Sequence, residues 1–206
     1  MIQITSSKGA LRNPRLAQQA VTALGRADAM GLLPRKERIE TLDLPSLRTV
    51  LKHVHRAGIG RAVQAAISSE LADDAPALEH LLSQLNTALE ESPAPEYEWG
   101  RLTDILGIEL LAELVGISAT SVRRYRAAAR STPDEVAGRL HLLTMIVGDL
   151  SGAYNEMGIR QWFARKRAQL GGRAPAEFFE GEWDPKEPGP ARVRELAGAL
   201  TASPAA

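Results

Sequence analysis

The sequence predicts an all-α fold, in which a helical N-terminal region is followed by a helix-turn-helix domain and a small helical C-terminal module. Three observations predict it. Hydrophobic residues make up 44% of the 206 residues, and most of them are leucine and alanine, which pack helices more often than sheets. Aromatic residues contribute only 4%. Apolar residues recur at helical spacing between capping and helix-breaking residues.

The N-terminal half contains four segments of this kind. Asn13-Pro14 is typical of a helix start, and Asp43 or Ser46 starts a second helix. A third segment runs through 63–71, and Asp74 caps a fourth. The apolar face of the fourth helix consists of leucines, namely Leu78, Leu81, Leu82, Leu85 and Leu89.

Residues 90–98 (EESPAPEYE) combine two prolines, a serine and four acids, which is typical of a linker. The predicted organisation is therefore an N-terminal region of unknown role (1–92), a linker (93–98), a helix-turn-helix domain (99–155) and a C-terminal module (156–206). Beyond the linker, Pro133-Asp134-Glu135 starts another helix.

The segment Glu109–Arg130 satisfies the positions that a helix-turn-helix constrains. Ala112 is small where the two helices cross, Gly116 suits a left-handed turn, and Ser118 is a natural cap for the second helix. An amphipathic helical hairpin without DNA-binding function is the alternative. The predicted inner face is apolar and consists of Leu111, Val115, Ile117, Val122 and Tyr125.

The second helix of this motif is rich in arginine, and no acid lies between Ser118 and Thr132. A solvated structural helix normally intersperses acids, whereas arginines alone suit phosphates and guanine edges of double-stranded DNA. We therefore expect DNA binding, at an operator with two half-sites and as a homodimer. The predicted contact residues are Ser118, Thr120, Ser121, Arg123, Arg124, Arg126 and Arg130.

Downstream of the motif lie Trp162, the turn Leu170–Pro175 (LGGRAP) and the apolar segment Ala176–Phe179. In this combination the chain resembles the Xre/MbcA/ParS antitoxin family, over roughly 99–200. Two features depart from the family pattern: a long N-terminal half, and the proline-rich segment 181–190.

The resemblance implies an Xre-like helix-turn-helix and a helical toxin-binding module. It implies a RES-domain toxin as partner, which consumes NAD and is neutralised by direct binding, and autorepression of the operon. The implied toxin-binding residues are Trp162, Arg173, Phe179 and Trp183. The alternative for the aromatic residues of this region is that they form the core of the small domain itself.

Two other functions stay open from the sequence. One is a stand-alone transcription regulator whose N-terminal region dimerises or senses a ligand. The other is a protein-interaction scaffold that does not bind DNA. A second basic cluster has an equally open role, as a contact to DNA backbone, to an acidic partner surface, or to solvent alone; it comprises Arg160, Arg165, Lys166, Arg167 and Arg173.

Composition excludes several other classes. The formal net charge is zero, so DNA contact requires a local basic patch. The absence of cysteine excludes disulfides and thiolate sites. His53 and His55 lie two residues apart and therefore point to different helix faces, so we expect no metal site. No arrangement of Ser, His and Asp suggests a catalytic nucleophile, and we expect no cofactor and no enzymatic activity. No apolar run reaches membrane-spanning length, and we expect a cytoplasmic protein.

Overall fold

The computed structural model of this chain describes residues 4–34, 39–60 and 74–202. They form an all-α fold, as predicted, apart from one two-stranded pairing. The chain divides into two compact units. The first comprises Met1–Asp28 and Leu32–Ser92, and the second comprises Ala29–Gly31 and Pro93–Ala206. The third predicted helix (63–71) lies outside the described residues.

The first unit contains strands β1 (Ser6–Ser7) and β2 (Thr41–Leu42) and helices α1 (Pro14–Ala29, whose last residue groups with the second unit), α2 (Leu44–Arg56) and α3 (Ala75–Glu90). The two strands pair in parallel, which the sequence did not predict because two residues per strand give no alternation.

The predicted helix starts of this unit are confirmed. Asn13 accepts a hydrogen bond from the backbone of Arg15, and Asp43 accepts one from Ser46. Asp74 occupies the cap of α3 without a side-chain bond. The five predicted leucines of α3 are all buried.

The second unit contains α4 (Pro95–Leu106), α5 (Ile108–Val115), α6 (Ala119–Arg126), α7 (Asp134–Leu150), α8 (Glu156–Ala164) and α9 (Pro188–Ala202). Two single-turn 3₁₀ helices, Ala168–Leu170 and Pro175–Phe178, lie between α8 and α9. None of the described helices combines the length and apolar composition that a bilayer crossing needs.

Two predicted boundaries need correction. Residues 93–98 are not a linker, because α4 begins at Pro95 and Glu98 is fully buried. Proline is well tolerated in the first turn of a helix, so it marked a helix start here. The predicted division between 155 and 156 is also absent, since residues on both sides, such as Leu143 and Trp162, share one hydrophobic core. The boundary between 92 and 93 agrees with that between the two units.

Candidate nucleic-acid interface

The connection between α5 and α6 has the local geometry that its sequence predicted. Gly116 adopts a left-handed conformation (φ 77°, ψ 36°) directly after α5. The N–H groups of Gly116 and Ile117 both donate to the carbonyl oxygen of Ala112, at 3.0 Å each. Ser118 then caps α6, because its Oγ accepts from the backbone N–H of Ser121 at 3.1 Å. The turn thus satisfies some of the backbone groups that are left without a partner at the end of α5 and at the start of α6.

Glycine at position 116 is required for a second reason. A Cβ atom there would lie 2.8 Å from the carbonyl oxygen of Gly181, closer than real contacts allow. The C-terminal part of the unit therefore packs directly on the turn. Trp183 strengthens this packing, since its indole N–H donates to the Leu114 carbonyl at 3.0 Å.

The inner face of the two helices is buried as predicted. Leu111, Val115 and Val122 have no measurable exposure, and Tyr125 is buried against Trp99, with 5.4 Å between their ring centroids. Ile117 is partly buried against the same core. This packing fixes which side of α6 faces outward.

The outward side of α6 carries most of the predicted DNA contacts. Thr120, Arg123, Arg124 and Arg126 are exposed. Ser118 is exposed as well, and Ser121 is half-buried; the two hydroxyl groups lie 3.0 Å apart within the cap, so both have a structural role.

The expected position of Arg130 on the second helix needs a correction, because α6 ends at Arg126 and Arg130 lies beyond that end. The helix cannot continue through Ala128, which has a positive φ of 53°. Arg130 is exposed, and its guanidinium lies over the Tyr125 ring at 5.9 Å from the centroid. It therefore lies beside the helix end and not along its face.

The arginines of α6 differ in their partners. Arg123 pairs with Glu109 of α5 at 3.1 Å, and Arg126 pairs with Asp104 of α4 at 3.3 Å. Arg124 makes no hydrogen bond or ion pair with another residue of the described ranges. Of the three, Arg124 thus presents a whole guanidinium group to solvent.

The second basic cluster is largely engaged within the protein. Arg160 donates to the backbone carbonyls of Asp104 and Ile105, Arg165 donates to Gln161, and Arg167 lies over the Trp162 ring. Since Asp104 also pairs with Arg126, the structure brings Arg160 close to α6.

The predicted toxin-binding residues divide into two groups. Trp162, Phe179 and Trp183 are 1–3% exposed, which is the reverse of what surface anchors require. They form, with Phe163, a chain of edge-to-face aromatic contacts inside the second unit. The high aromatic density of 162–183 therefore reflects core packing.

Arg173 is the exposed member of that set. It follows the left-handed pair Gly171-Gly172, lies 4.1 Å from the Phe178 ring centroid, and donates to Glu177. The backbone N–H of Ala174 is the main cause that lowers the pKa of Glu177 below its ordinary value, with Arg173 contributing.

Sequence reasoning missed a buried polar pair in the same unit. The Nδ1 atom of His141 lies 2.6 Å from Oε1 of Glu98, and both side chains are buried. Burial raises the pKa of Glu98, although the bond and charge of His141 oppose the rise. The signal was present, because Glu98 lies at helical spacing from Leu102 and Ile105, on the apolar face of α4.

Comparisons with protein-family models, with curated proteins and with solved structures found no match to this chain. The resemblance to the antitoxin family therefore stays a prediction, as do the partners that it implies.

Proposed function

We propose that this protein binds double-stranded DNA sequence-specifically through the exposed face of α6. The observation that carries the proposal is the combination of a capped helix with an outward row of arginines, on a segment free of acids from Ser118 to Thr132. The turn at Gly116 and the buried inner face hold α6 at the surface as a rigid element. Rigid presentation suits recognition, because little order has to be gained on binding.

The chemistry of α6 suits the major groove. A recognition helix places its first residues at base edges, and Thr120 is exposed there. Arg124 follows on the outward side with a guanidinium group that can bind guanine O6 and N7 together. Arg126, nearer the helix end, suits a phosphate contact that fixes register.

The experiment is selection of binding sites by the full chain from a randomised duplex library, followed by titration of the selected duplex. We expect a consensus with two related half-sites. Arg124→Ala should weaken binding by about 1–3 kcal/mol if the side chain reads a base. Arg48→Ala, which removes the same charge from an exposed position of α2, is the matched control and should leave binding unchanged.

Absence of binding to any duplex at low salt would refute the proposal. Equal losses for Arg124→Ala and Arg48→Ala would also contradict it, because they would indicate a general charge effect without a recognition helix. The expected homodimer is tested in the same series by light scattering of the protein–duplex complex.

The narrower role that we propose is that of an antitoxin, which neutralises a RES-domain toxin and represses its own operon. Its support is the resemblance over 99–200, with Arg173 as the exposed candidate for partner contact. Co-expression with the product of the neighbouring gene, with pull-down and rescue of growth, tests it. Stable binding with rescue is expected, and absence of both would contradict this role.

A stand-alone DNA-binding regulator is the second candidate. The burial of Trp162, Phe179 and Trp183 favours it, because three of the four residues expected to bind a toxin are core residues. The same pull-down separates the candidates, since a regulator without a toxin partner would bind DNA and capture no neighbour.

A further inference from the structure

The arginines of α6 are paired unevenly with acids from neighbouring helices. Glu109 and Arg123 form an ion pair in which both side chains are more than half exposed, at 76% and 54%. Asp104 and Arg126 form a second pair, with 25% and 41% exposed. Arg124 lies between the two paired arginines without such a partner among the described residues. Two carboxylates therefore lie within the surface that α6 offers to DNA.

A carboxylate in this position has two physical effects. It repels the phosphate backbone of any duplex, which lowers affinity independently of sequence. It also restricts the guanidinium group that it binds. Glu109 contacts one terminal nitrogen of Arg123, and a guanidinium has five N–H donors, so further donors stay available for a base. Restricting this flexible side chain before binding reduces the ordering cost of a directed contact.

We propose that Glu109 is a positioning residue for Arg123 and that, with Asp104, it sets the selectivity of this face between its own site and other DNA. The inference rests on the proposed DNA-binding function. It adds to that function the residues that weaken binding to DNA of unrelated sequence. The two effects have opposite signs. Loss of the Glu109 charge strengthens binding to any backbone, while it weakens the directed contact of Arg123.

The test compares Glu109→Gln with the unchanged full chain on two duplexes of about 20 base pairs, long enough for two half-sites. One is the duplex selected from the randomised library, and the other has the same base composition in shuffled order. Glutamine keeps the size of the side chain and removes its charge. The matched control is Glu113→Gln, an exposed acid of α5 without an ion pair among the described residues.

We expect Glu109→Gln to bind the shuffled duplex up to about fivefold more tightly, the scale of an exposed ion pair. It should bind the selected duplex no more tightly than the unchanged chain, so the ratio of the two affinities falls. Glu113→Gln should shift both affinities equally and leave the ratio as it was. Asp104→Asn should act in the same direction as Glu109→Gln on the shuffled duplex.

If Glu109→Gln changed the affinities for both duplexes by the same factor, the inference would be overturned. Glu109 would then act on DNA through its charge alone, with no effect on the directed contact of Arg123. Unchanged affinities in this variant would overturn it as well. In both cases the unchanged chain still binds its selected duplex, so the proposed function stands. An unchanged chain that binds neither duplex would refute the proposed function and the inference together.

Discussion

Substitution of Trp183 distinguishes a core residue from a partner-binding residue. The indole is 3% exposed, lies 4.9 Å from the Phe179 ring centroid, and donates to the Leu114 carbonyl at 3.0 Å. The Arg139 guanidinium lies over the indole ring, 5.6 Å from the ring centroid. Trp183→Ala removes all of these contacts at once.

The magnitude follows from the burial. A buried tryptophan removes about 150–250 Å² from water, which at about 25 cal/mol per Å² corresponds to roughly 4–6 kcal/mol. Core substitutions of this kind cost about 3–5 kcal/mol in practice. With a denaturant dependence of about 2 kcal/mol per molar, a loss of 4 kcal/mol lowers the urea midpoint by about 2 M. Trp183→Phe should lose less stability than Trp183→Ala, because phenylalanine keeps most of the ring volume. It should still lose some stability, because the Leu114 carbonyl loses its hydrogen-bond donor.

The assay is urea unfolding followed by tryptophan fluorescence. All three tryptophans (Trp99, Trp162 and Trp183) lie in the second unit, so the signal reports that unit and two probes survive the substitution. Met157→Ala is the control, because this side chain is 68% exposed and should change stability by less than about 0.5 kcal/mol. A loss for Trp183→Ala no larger than that of the control would refute the packing described here, and would place the indole at the surface.

Two further predictions concern the turn and the buried polar pair. Gly116→Ala should destabilise the second unit by more than the left-handed strain of about 1–2 kcal/mol, because the added Cβ meets the Gly181 carbonyl oxygen. Gly171→Ala is the control, since Gly171 has a similar backbone conformation in open space and its substitution should cost the strain alone. Equal losses in urea unfolding would contradict the close approach. The raised pKa of Glu98 means that the folded chain retains a proton which the unfolded chain releases, so the free energy of unfolding should fall as the pH rises above 4.5. Glu98→Gln should flatten this part of the profile, and an unchanged slope would count against the buried carboxyl as its origin.

The helices were predictable where local signals and burial agreed. Asn13-Pro14, Asp43 and Ser118 cap or precede helices as expected, because capping depends on residues a few positions apart. The prolines of 93–98 misled the interpretation, since proline favours both a linker and the first turn of a helix. Burial decided between the two, and burial depends on contacts distant in sequence.

Only those features of the candidate site that depend on residues close together in sequence could be predicted. The exposure of Arg123 and Arg124 follows from the apolar pattern of α6, because periodicity fixes both faces of a helix. The pairing of Arg126 with Asp104 joins residues 22 positions apart, and that of Gly116 with Gly181 is more distant still. The burial of Trp183 also depends on contacts distant in sequence, and its residue type alone did not predict it, because an aromatic residue suits a core as well as an interface.

Site-specific cross-linking to DNA tests the central claim most directly. A photoreactive benzophenone side chain is introduced at Thr120, at the exposed start of α6, and separately at Met157, on the exposed side of α8. With the selected duplex, the account predicts cross-links from position 120 to bases of the half-sites, and few from position 157. Cross-links from position 157 without any from position 120 would contradict the assignment of α6 as the DNA-binding helix.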